Sequence, residues 1–474
     1  MLLGLVSILF ALAQAPDTTT TSGPVVLSLE KALEIALSEN VSVKVADREI
    51  ERAQYARKGS YASLFPQVDG SASFQRTIEK QVMYMDFDMS SIMGGIGGGL
   101  PGGGEGEGGE GGITPPAGSG GKSSNDGMEV GRWNTFATGV SASMPLVNFQ
   151  LWESLRISGQ DVELAVEKAR NSRLEMVTQV KAAFYGVLLA KESYKVYKEV
   201  FDNATLNYER TKLRREAQKA SELELARAAT SLANAVPNMY DSQNAVALSL
   251  WQLKAVMGVD LDMDIDVEGE LFDYADDMFD LYSDDDLSLD NNSTMRQLEL
   301  QAEQLASAVK TQQYAYLPSL AVAFTYNYNA MANDFKFDQY RWTPYSYVGL
   351  SLNIPIFSGG KRLNNVRAAK VQASELELQK ANTERQLKIS IRKNLNTMET
   401  AVHSHDAADK ALEAAQKAYD ITEESYAVGS STITDLNDAQ LALVQAKMAV
   451  CQSIYSYLSA KASLEQTLGY DFQE

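Results

Sequence analysis

The chain has 474 residues, of which 45% are hydrophobic and 22% charged, a balance typical of a folded protein. Its 42 basic and 62 acidic side chains give a net charge of −20, which argues against nucleic acid as a partner because a phosphate backbone requires a basic face. Two histidines and one cysteine exclude a disulfide framework and a metal site rich in histidine or cysteine, and no cofactor is expected.

Residues 1–15 are predicted to be a secretory signal peptide. Their apolar run at 2–13 is too short to span a bilayer, and small residues spaced as at a cleavage site end it. No basic residue precedes this run, and Pro16 disfavours cleavage after Ala15, so cleavage after Ala13 is preferred. A buried amino-terminal helix is the alternative interpretation.

The chain contains two copies of one unit. Three pairs of matching positions are 210 or 211 residues apart: Pro145 and Pro355, Gln218 and Gly429, and Gly258 and Gly469. Pro66 and Pro318 are 252 residues apart because a glycine-rich insertion at 84–126 enlarges the first copy. This insertion is predicted to be a mobile loop, since it has too little apolar surface to fold. The predicted segments are a signal peptide, a first repeat, an acidic linker and a second repeat: residues 1–15, 16–258, 259–293 and 294–474.

Each copy is predicted to begin with a helix that a proline ends. These helices cover 28–61 and 294–314, and Ser28 is a suitable N-cap for the first. Two strands of about ten residues follow in each copy and form a hairpin. The predicted pairs are 68–76 with 136–144, and 321–330 with 345–354.

The predicted strand length suits a tilted crossing of a bilayer. Four aromatic residues near the strand ends suit interfacial girdles: Trp133, Trp342, Tyr345 and Tyr347. No run of 18 apolar residues follows the signal peptide, so no transmembrane helix is predicted. Any part of the chain that crosses a membrane must then be a closed β-barrel, because hydrocarbon cannot satisfy an unpaired backbone group.

Long helices are predicted after Pro145 and Pro355. No residue must break either helix for about 65–70 residues, which is about 100 Å at 1.5 Å per residue. Helices of this length need packing partners throughout, so they are predicted to be coiled-coil-like. Each turns at Gln218 or Gly429 and returns over a shorter helix. Two pairs have the form of capping boxes that begin the return helices: Ser221 with Glu224, and Thr432 with Asp435.

Other patterns with a chemical appearance are assigned structural roles. The linker at 259–290 has 14 acidic and no basic residues. Ile265 and Leu271 occupy the glycine and glutamate positions of a calcium loop, so an edge strand with one acidic face is predicted instead. His403 and His405 point to different sides of a helix and are predicted to be solvent-exposed.

The remaining candidates for chemistry are weak. Lone Cys451 is predicted to be a small packing residue in a helix. The glycine-rich stretch before Lys122 has Pro116 where a phosphate-binding loop requires glycine, and it lacks the flanking strand and helix. No nucleophile with an adjacent base is visible, so an enzyme is not predicted.

The ordered motifs, found twice over nearly the whole mature chain, resemble those of the TolC-type outer-membrane efflux protein family, the outer-membrane factors. They are Leu27-Ser28-Leu29-Glu30, Leu317-Pro318-Ser319-Leu320, Ile354-Pro355-Ile356-Phe357-Ser358-Gly359-Gly360 and the tip from Val428 to Ala439. The resemblance implies a mostly α-helical chain with a membrane β-barrel. It implies a homotrimer in which a 12-stranded outer-membrane barrel continues into a periplasmic α-helical tunnel, with the acidic linker in an equatorial belt.

The resemblance also implies site residues at the tips of the helical hairpins. Asp435 and Asp438 would form the pore constriction, where carboxylates from three chains attract cations and raise one another's pKa. The alternative is a capping role for Asp435 and a solvent-exposed one for Asp438. The implied lock and turn residues are Tyr426, Gly429, Thr432, Ser221 and Glu224. The implied adaptor-docking residues are Lys212, Arg215, Gln218, Ser430 and Ser431.

The implied function is a passive exit duct in the outer membrane of a Gram-negative bacterium, extending into the periplasm. Its expected partners are two further copies of the chain, a periplasmic adaptor, an inner-membrane transporter and outer-membrane lipid. Ser431 stands where some family members have an arginine that helps to close the mouth, so the closing contacts differ here. The alternative is a secreted coiled-coil scaffold without a pore, which explains the helices but not the strand hairpins.

Overall fold

The computed structural model describes residues 25–83, 128–279 and 287–470. The predicted signal peptide and the glycine-rich loop at 84–126 lie outside the described residues. The chain divides into two compact units. The helical unit takes its described residues from Met1–Gly59, Gln150–Tyr314 and Gly359–Glu474, and the strand unit from Ser60–Phe149 and Ala315–Ser358.

The helices and strands follow the predicted order. In chain order they are β1 (Val25–Leu27), α1 (Leu29–Glu39), α2 (Val41–Ala62), β2 (Gln67–Arg76), β3 (Gln81–Met83), β4 (Met128–Val130), β5 (Asn134–Val147), α3 (Phe149–Glu216), α4 (Glu222–Met257), β6 (Ile265–Val267), α5 (Ser293–Tyr314), β7 (Ser319–Ala332), β8 (Thr343–Asn353), α6 (Lys361–Val428) and α7 (Ile433–Leu468). Short 3₁₀ turns occur at Leu271–Tyr274, Asp276–Phe279 and Phe337–Gln339.

The predicted long helices and their returns are confirmed. The helices α3 and α6 each have 68 residues, and the returns α4 and α7 each have 36. Equal lengths in the two copies agree with the sequence offset of 211 residues. Within the described ranges, no helix combines the length and the hydropathy needed to cross a membrane.

The first helix differs from its prediction, because it breaks at Asn40 into α1 and α2. The Asn40 side chain accepts a hydrogen bond from the Ser42 N–H at 2.7 Å and donates one to the Val256 carbonyl at 2.6 Å. Asparagine thereby competes with the helical hydrogen bonds of the backbone. In the second copy Asn292 does the same, accepting from the Met295 N–H and donating to the Thr467 carbonyl.

A glycine closes each return helix against these asparagine turns. Gly258 and Gly469 have φ of 77° and 76°, which disfavours any other residue. A Cβ atom on Gly469 would lie 2.1 Å from the Asn291 carbonyl oxygen, and one on Gly258 would lie 2.9 Å from that of Glu39. Both the backbone conformation and the close approach therefore require glycine here.

The larger apolar core of the helical unit lies around the middle of the long helices. Its largest fully buried side chains include Leu33, Phe184, Leu188, Leu253, Ile454 and Tyr457. Cys451 is buried in this core, and burial raises its pKa to about 11, so its predicted packing role is confirmed. His405 is partly buried, and its Nδ1 lies 3.3 Å from the Ser453 hydroxyl; its predicted exposure to solvent was wrong.

The acidic linker forms a strand that is shorter than the alternating pattern suggests. Only β6 is extended, and it pairs in parallel with β1. Ile265 and Val267 are buried, whereas Asp266 reaches Lys191 at 2.5 Å. One apolar and one acidic side are confirmed for the three residues of this strand.

The strand unit contains a four-stranded antiparallel sheet with the order β2-β5-β7-β8. Pairing of β2 with β5 and of β7 with β8 confirms both predicted hairpins. Pairing of β5 with β7 joins the two copies through residues 173 to 198 positions apart in the chain. The strands β3 and β4 form a separate two-stranded sheet.

The register gives the four-stranded sheet two contrasting faces, since directly paired residues share a face. The apolar face includes Val68, Phe74, Val140, Phe324, Val348, Leu350 and Leu352. The polar face includes Gln67, Ser71, Ser141, Thr325, Asn327, Ser351 and Asn353. Tyr345 and Tyr347 pair with Asn327 and Thr325, so they lie on the polar face.

Candidate functional site at the helical tips

The two helical hairpins turn through matching backbone conformations. Gly429 has φ of 84°, and Gln218 adopts the same left-handed region at 56° without being glycine. The capping boxes then begin the return helices. Ser221 caps the Glu224 N–H, and the Glu224 carboxylate accepts from the Ser221 N–H at 2.8 Å. Thr432 and Asp435 make the equivalent pair, so both predicted capping boxes are confirmed.

Asp435 has more donors than a cap requires. Its Oδ2 accepts hydrogen bonds from the Thr432 hydroxyl at 2.7 Å, the Thr432 N–H at 2.9 Å and the Ser431 hydroxyl at 3.1 Å. These bonds, first of all that from the Thr432 hydroxyl, lower the pKa of Asp435. Asp438 lies one turn further along α7 and is exposed. Within one chain, the hydrogen bonds thus oppose the upward pKa shift expected from a ring of carboxylates.

Tyr426 joins the two hairpins through a buried hydrogen bond. Its hydroxyl lies 2.9 Å from the Thr211 hydroxyl on α3. Because Thr211 already donates its proton to the Asn207 carbonyl at 2.7 Å, Tyr426 is the donor in this bond. Glu224, the other expected lock residue, is engaged in its own capping box. The two predicted lock residues therefore have separate partners within the chain.

Arg214 completes this junction, which we call the tip latch: Thr211, Arg214 and Tyr426. The Arg214 guanidinium lies 5.7 Å from the centre of the Tyr426 ring and donates to the Tyr426 carbonyl at 3.3 Å. Sequence reasoning assigned no role to Thr211 or Arg214. The available signal was the basic end of α3, since cations favour the carbonyl groups at helix ends.

The predicted docking residues differ in their exposure and in their partners within the chain. Lys212 and Gln218 are exposed, whereas Arg215 pairs with Glu222 at 2.5 Å. Ser430 and Ser431 donate to Ser425 and Asp435 within the second tip. Sequence reasoning missed three exposed apolar side chains at the same ends: Leu213, Leu223 and Val428, the last of which is 82% exposed.

A groove of about 720 Å³ lies between α4 and α7 behind the tips. Two polar contacts bridge it. Arg227 donates to the Thr434 hydroxyl at 3.1 Å, and Ser231 donates to Asn437 at 3.3 Å. Among the described residues, no group of three or more histidines, cysteines or carboxylates is placed to hold a metal ion.

The chain thus contains two capped helical hairpins that are joined at their tips, and an amphipathic four-stranded sheet. This combination is typical of a duplicated channel protein with long helices. The family model described as outer membrane efflux protein matches residues 116–259 and 286–470, more than half of the sequence. The chain belongs to the outer membrane efflux protein family, which confirms the resemblance seen in its motifs. It is therefore an outer-membrane exit duct for efflux or secretion.

Individual relatives agree with this assignment. The chain is 24% identical to the alkaline protease secretion protein AprF of Pseudomonas aeruginosa over 342 residues, which cover 70% of this chain and 69% of AprF. It is 26% identical to the outer membrane protein TolC of Escherichia coli over 122 residues, only 26% of this chain and 25% of TolC. The CmeC outer membrane channel of Campylobacter jejuni has a similar fold, with a TM-score of 0.68 at 20% identity, covering 93% of this chain and 85% of CmeC.

Proposed function

We propose that three copies of this chain assemble into one duct in the outer membrane of a Gram-negative bacterium. The observation that carries this proposal is the four-stranded sheet. Its apolar face suits lipid, but β2 and β8 are edges with unpaired backbone groups. Such edges are not tolerated in hydrocarbon, and four strands cannot enclose a pore. Pairing β2 of one copy with β8 of the next satisfies both requirements, giving 12 strands from three copies.

The helical unit supports the same assembly. Along α6, alternating steps of four and three residues define a seam: Arg367, Val371, Ser374, Leu378, Ala381, Arg385, Lys388 and Arg392. The two large apolar side chains of this seam, Val371 and Leu378, are one heptad apart, which is the spacing of a helix that packs against another helix. Every residue of the seam is exposed in the single chain, and Leu378 is 71% exposed. A second copy provides a packing partner for Val371 and Leu378, which the single chain leaves exposed.

The hairpin tips form the periplasmic mouth in this proposal. Asp435 and Asp438 lie on one face at the start of α7, and three copies bring six carboxylates towards one axis. A ring of negative charge attracts cations and repels anions. The periplasmic adaptor docks on the exposed tip residues and on the groove between α4 and α7, where Leu213, Leu223 and Val428 supply apolar contacts. Substrates reach the duct from an inner-membrane transporter, and the chain itself performs no chemistry.

Conductance in a planar bilayer tests this function. The full chain, purified in detergent, is expected to form stable cation-selective channels that a millimolar divalent cation added on the tip side reduces. The double substitution Asp435→Lys and Asp438→Lys should lower cation selectivity. Asp409→Lys with Glu413→Lys is the matched control, because it makes the same charge change on exposed positions of α6 away from the tip.

The outcomes separate the proposals. Unchanged cation selectivity in the Asp435 and Asp438 double variant would refute their place at the pore constriction. An equal loss of selectivity in the Asp409 and Glu413 control would refute it as well. A scaffold without a pore gives neither conductance nor the heat-dependent gel migration of membrane strands. A closed resting mouth gives that migration without conductance, and weakening the tip latch should then open the channel.

A further inference from the structure

The loop that joins β7 and β8 folds back onto the apolar face of the sheet. The Asn333 side chain accepts a hydrogen bond from the Trp133 N–H at 3.3 Å, and buried Asn134 donates to the Asp334 carbonyl at 3.1 Å. The Tyr340 hydroxyl donates to the same carbonyl. These bonds fix the loop at 333–342 in place beside β5.

The folded loop places aromatic rings against those of the strands. Phe74 and Phe136 stack with ring centres 4.7 Å apart. Phe337 and Tyr340 approach the Phe136 ring to 5.4 and 5.3 Å, and Phe335 approaches Phe74 to 6.1 Å. We call these five rings the aromatic cluster. It is not a core, because Phe335 is 51% and Phe337 60% exposed.

The cluster lies at the end of an apolar band of the right height for a membrane. From Leu320 to Ala330 the apolar face covers ten residue steps, about 34 Å along the strand at ~3.4 Å per residue. A tilt of about 40° reduces this to roughly 26 Å, close to the ~25 Å apolar band of outer-membrane proteins. The aromatic cluster therefore falls where hydrocarbon meets the headgroups.

Arg76 is the basic residue of the apolar face at this boundary, and Lys336 and Arg341 lie in the folded loop beside it. Arg76 is the last residue of β2, shares the apolar face with Phe74, and lies 5.7 Å from the centre of the Phe335 ring. It is the one charged residue among the paired positions of the apolar face. An arginine at the end of an apolar strand face extends its charge towards the headgroups.

We infer that the aromatic cluster and Arg76 form an anchor for an anionic, phosphate-bearing lipid headgroup in the outer leaflet. The rings take the interfacial position that aromatic side chains favour, and the guanidinium pairs with the phosphate in a planar, bidentate geometry. Because the aromatic cluster continues the apolar face of the sheet, we infer that the ligand is a lipid and not a soluble anion. This inference rests on the proposed membrane insertion of the sheet.

Lipid retention by the full chain tests the anchor. Protein purified in detergent is exchanged into equal mixtures of phosphatidylglycerol and phosphatidylcholine with identical acyl chains, and bound lipid is counted by native mass spectrometry. The protein should retain phosphatidylglycerol over phosphatidylcholine by about fivefold, the contribution of one arginine, Arg76, next to an anionic headgroup. Arg76→Gln should abolish this preference. Arg52→Gln, at an exposed arginine of α2 in the helical unit, makes the same charge change and should preserve it.

Further arms identify what the site binds. Phe335→Ala with Phe337→Ala should lower retention of both lipids, because it removes the interfacial rings. Inorganic phosphate should not displace phosphatidylglycerol. Displacement would show that the site binds a simple anion and not a lipid. Equal retention of the two lipids by the unmodified chain, or equal effects of the two arginine variants, would overturn the anchor. Conductance of Arg76→Gln is scored separately and should be unchanged, so that failure of the duct is distinguishable from failure of the anchor.

Discussion

Weakening the tip latch should open the duct. Tyr426→Phe removes one hydroxyl and keeps the ring, so it deletes the buried bond to Thr211 while the apolar packing stays. Thr211 still donates to the Asn207 carbonyl, so no donor is left unsatisfied. The expected cost is about 1 kcal/mol, the net value of one hydrogen bond. If the latch holds the closed mouth, the ratio of open to closed channels should rise about fivefold.

Arg214→Gln addresses the other half of the latch. It removes the cation from the Tyr426 ring and the charged donor from the Tyr426 carbonyl. Because Arg214 is partly exposed, we expect about 1 kcal/mol here as well. Both substitutions act on Tyr426, so their effects should not add independently; the double variant should reach at most about thirtyfold.

Single-channel recording measures these ratios directly as open probability at fixed voltage. Tyr419→Phe is the matched control, because Tyr419 lies on the same helix and in the same apolar cluster but outside the latch. Its hydroxyl is kept protonated by burial, which raises its pKa to about 12. An open probability unchanged by both Tyr426→Phe and Arg214→Gln, or raised equally by the control, would refute the latch.

Three further predictions concern the cap, the glycine turn and the seam. Thr432→Ala removes the hydroxyl donor that most lowers the pKa of Asp435, so this pKa should rise. Cation selectivity requires the ionised carboxylate. As the pH is lowered in a selectivity titration, the variant should therefore lose its selectivity at a higher pH than the unmodified channel. An unshifted midpoint would exclude a role for Asp435 in selectivity. Gly469→Ala should lower the free energy of unfolding by more than 1 kcal/mol in chemical unfolding, because the added Cβ would overlap Asn291. Gly186→Ala is the contrasting case, since Gly186 lies inside a helix and no heavy atom lies within 4 Å of the added Cβ. It should raise the free energy of unfolding by about 0.5–1 kcal/mol. Leu378→Asp should shift the assembly from trimer to monomer in light scattering, and an intact trimer would contradict the seam.

Local patterns determined much of this protein. The period of two in the strands, the long stretches without helix breakers and the capping sequences at Ser221 and Thr432 are all read within one short segment of chain. The duplication also appears in the sequence alone, because matching glycine and proline positions recur at a constant offset. These features act through backbone geometry and nearest neighbours, so they need no knowledge of the rest of the fold.

Tertiary structure decided which of these elements meet. The break at Asn40 depends on the Val256 carbonyl, 216 residues away, and the latch depends on Thr211 meeting Tyr426 across 215 residues. The face on which Tyr345 lies follows from its pairing with Asn327, which an alternating pattern alone does not specify. A sequence pattern records the preferences of each segment, whereas the partner of a side chain is set by packing between segments distant in the chain.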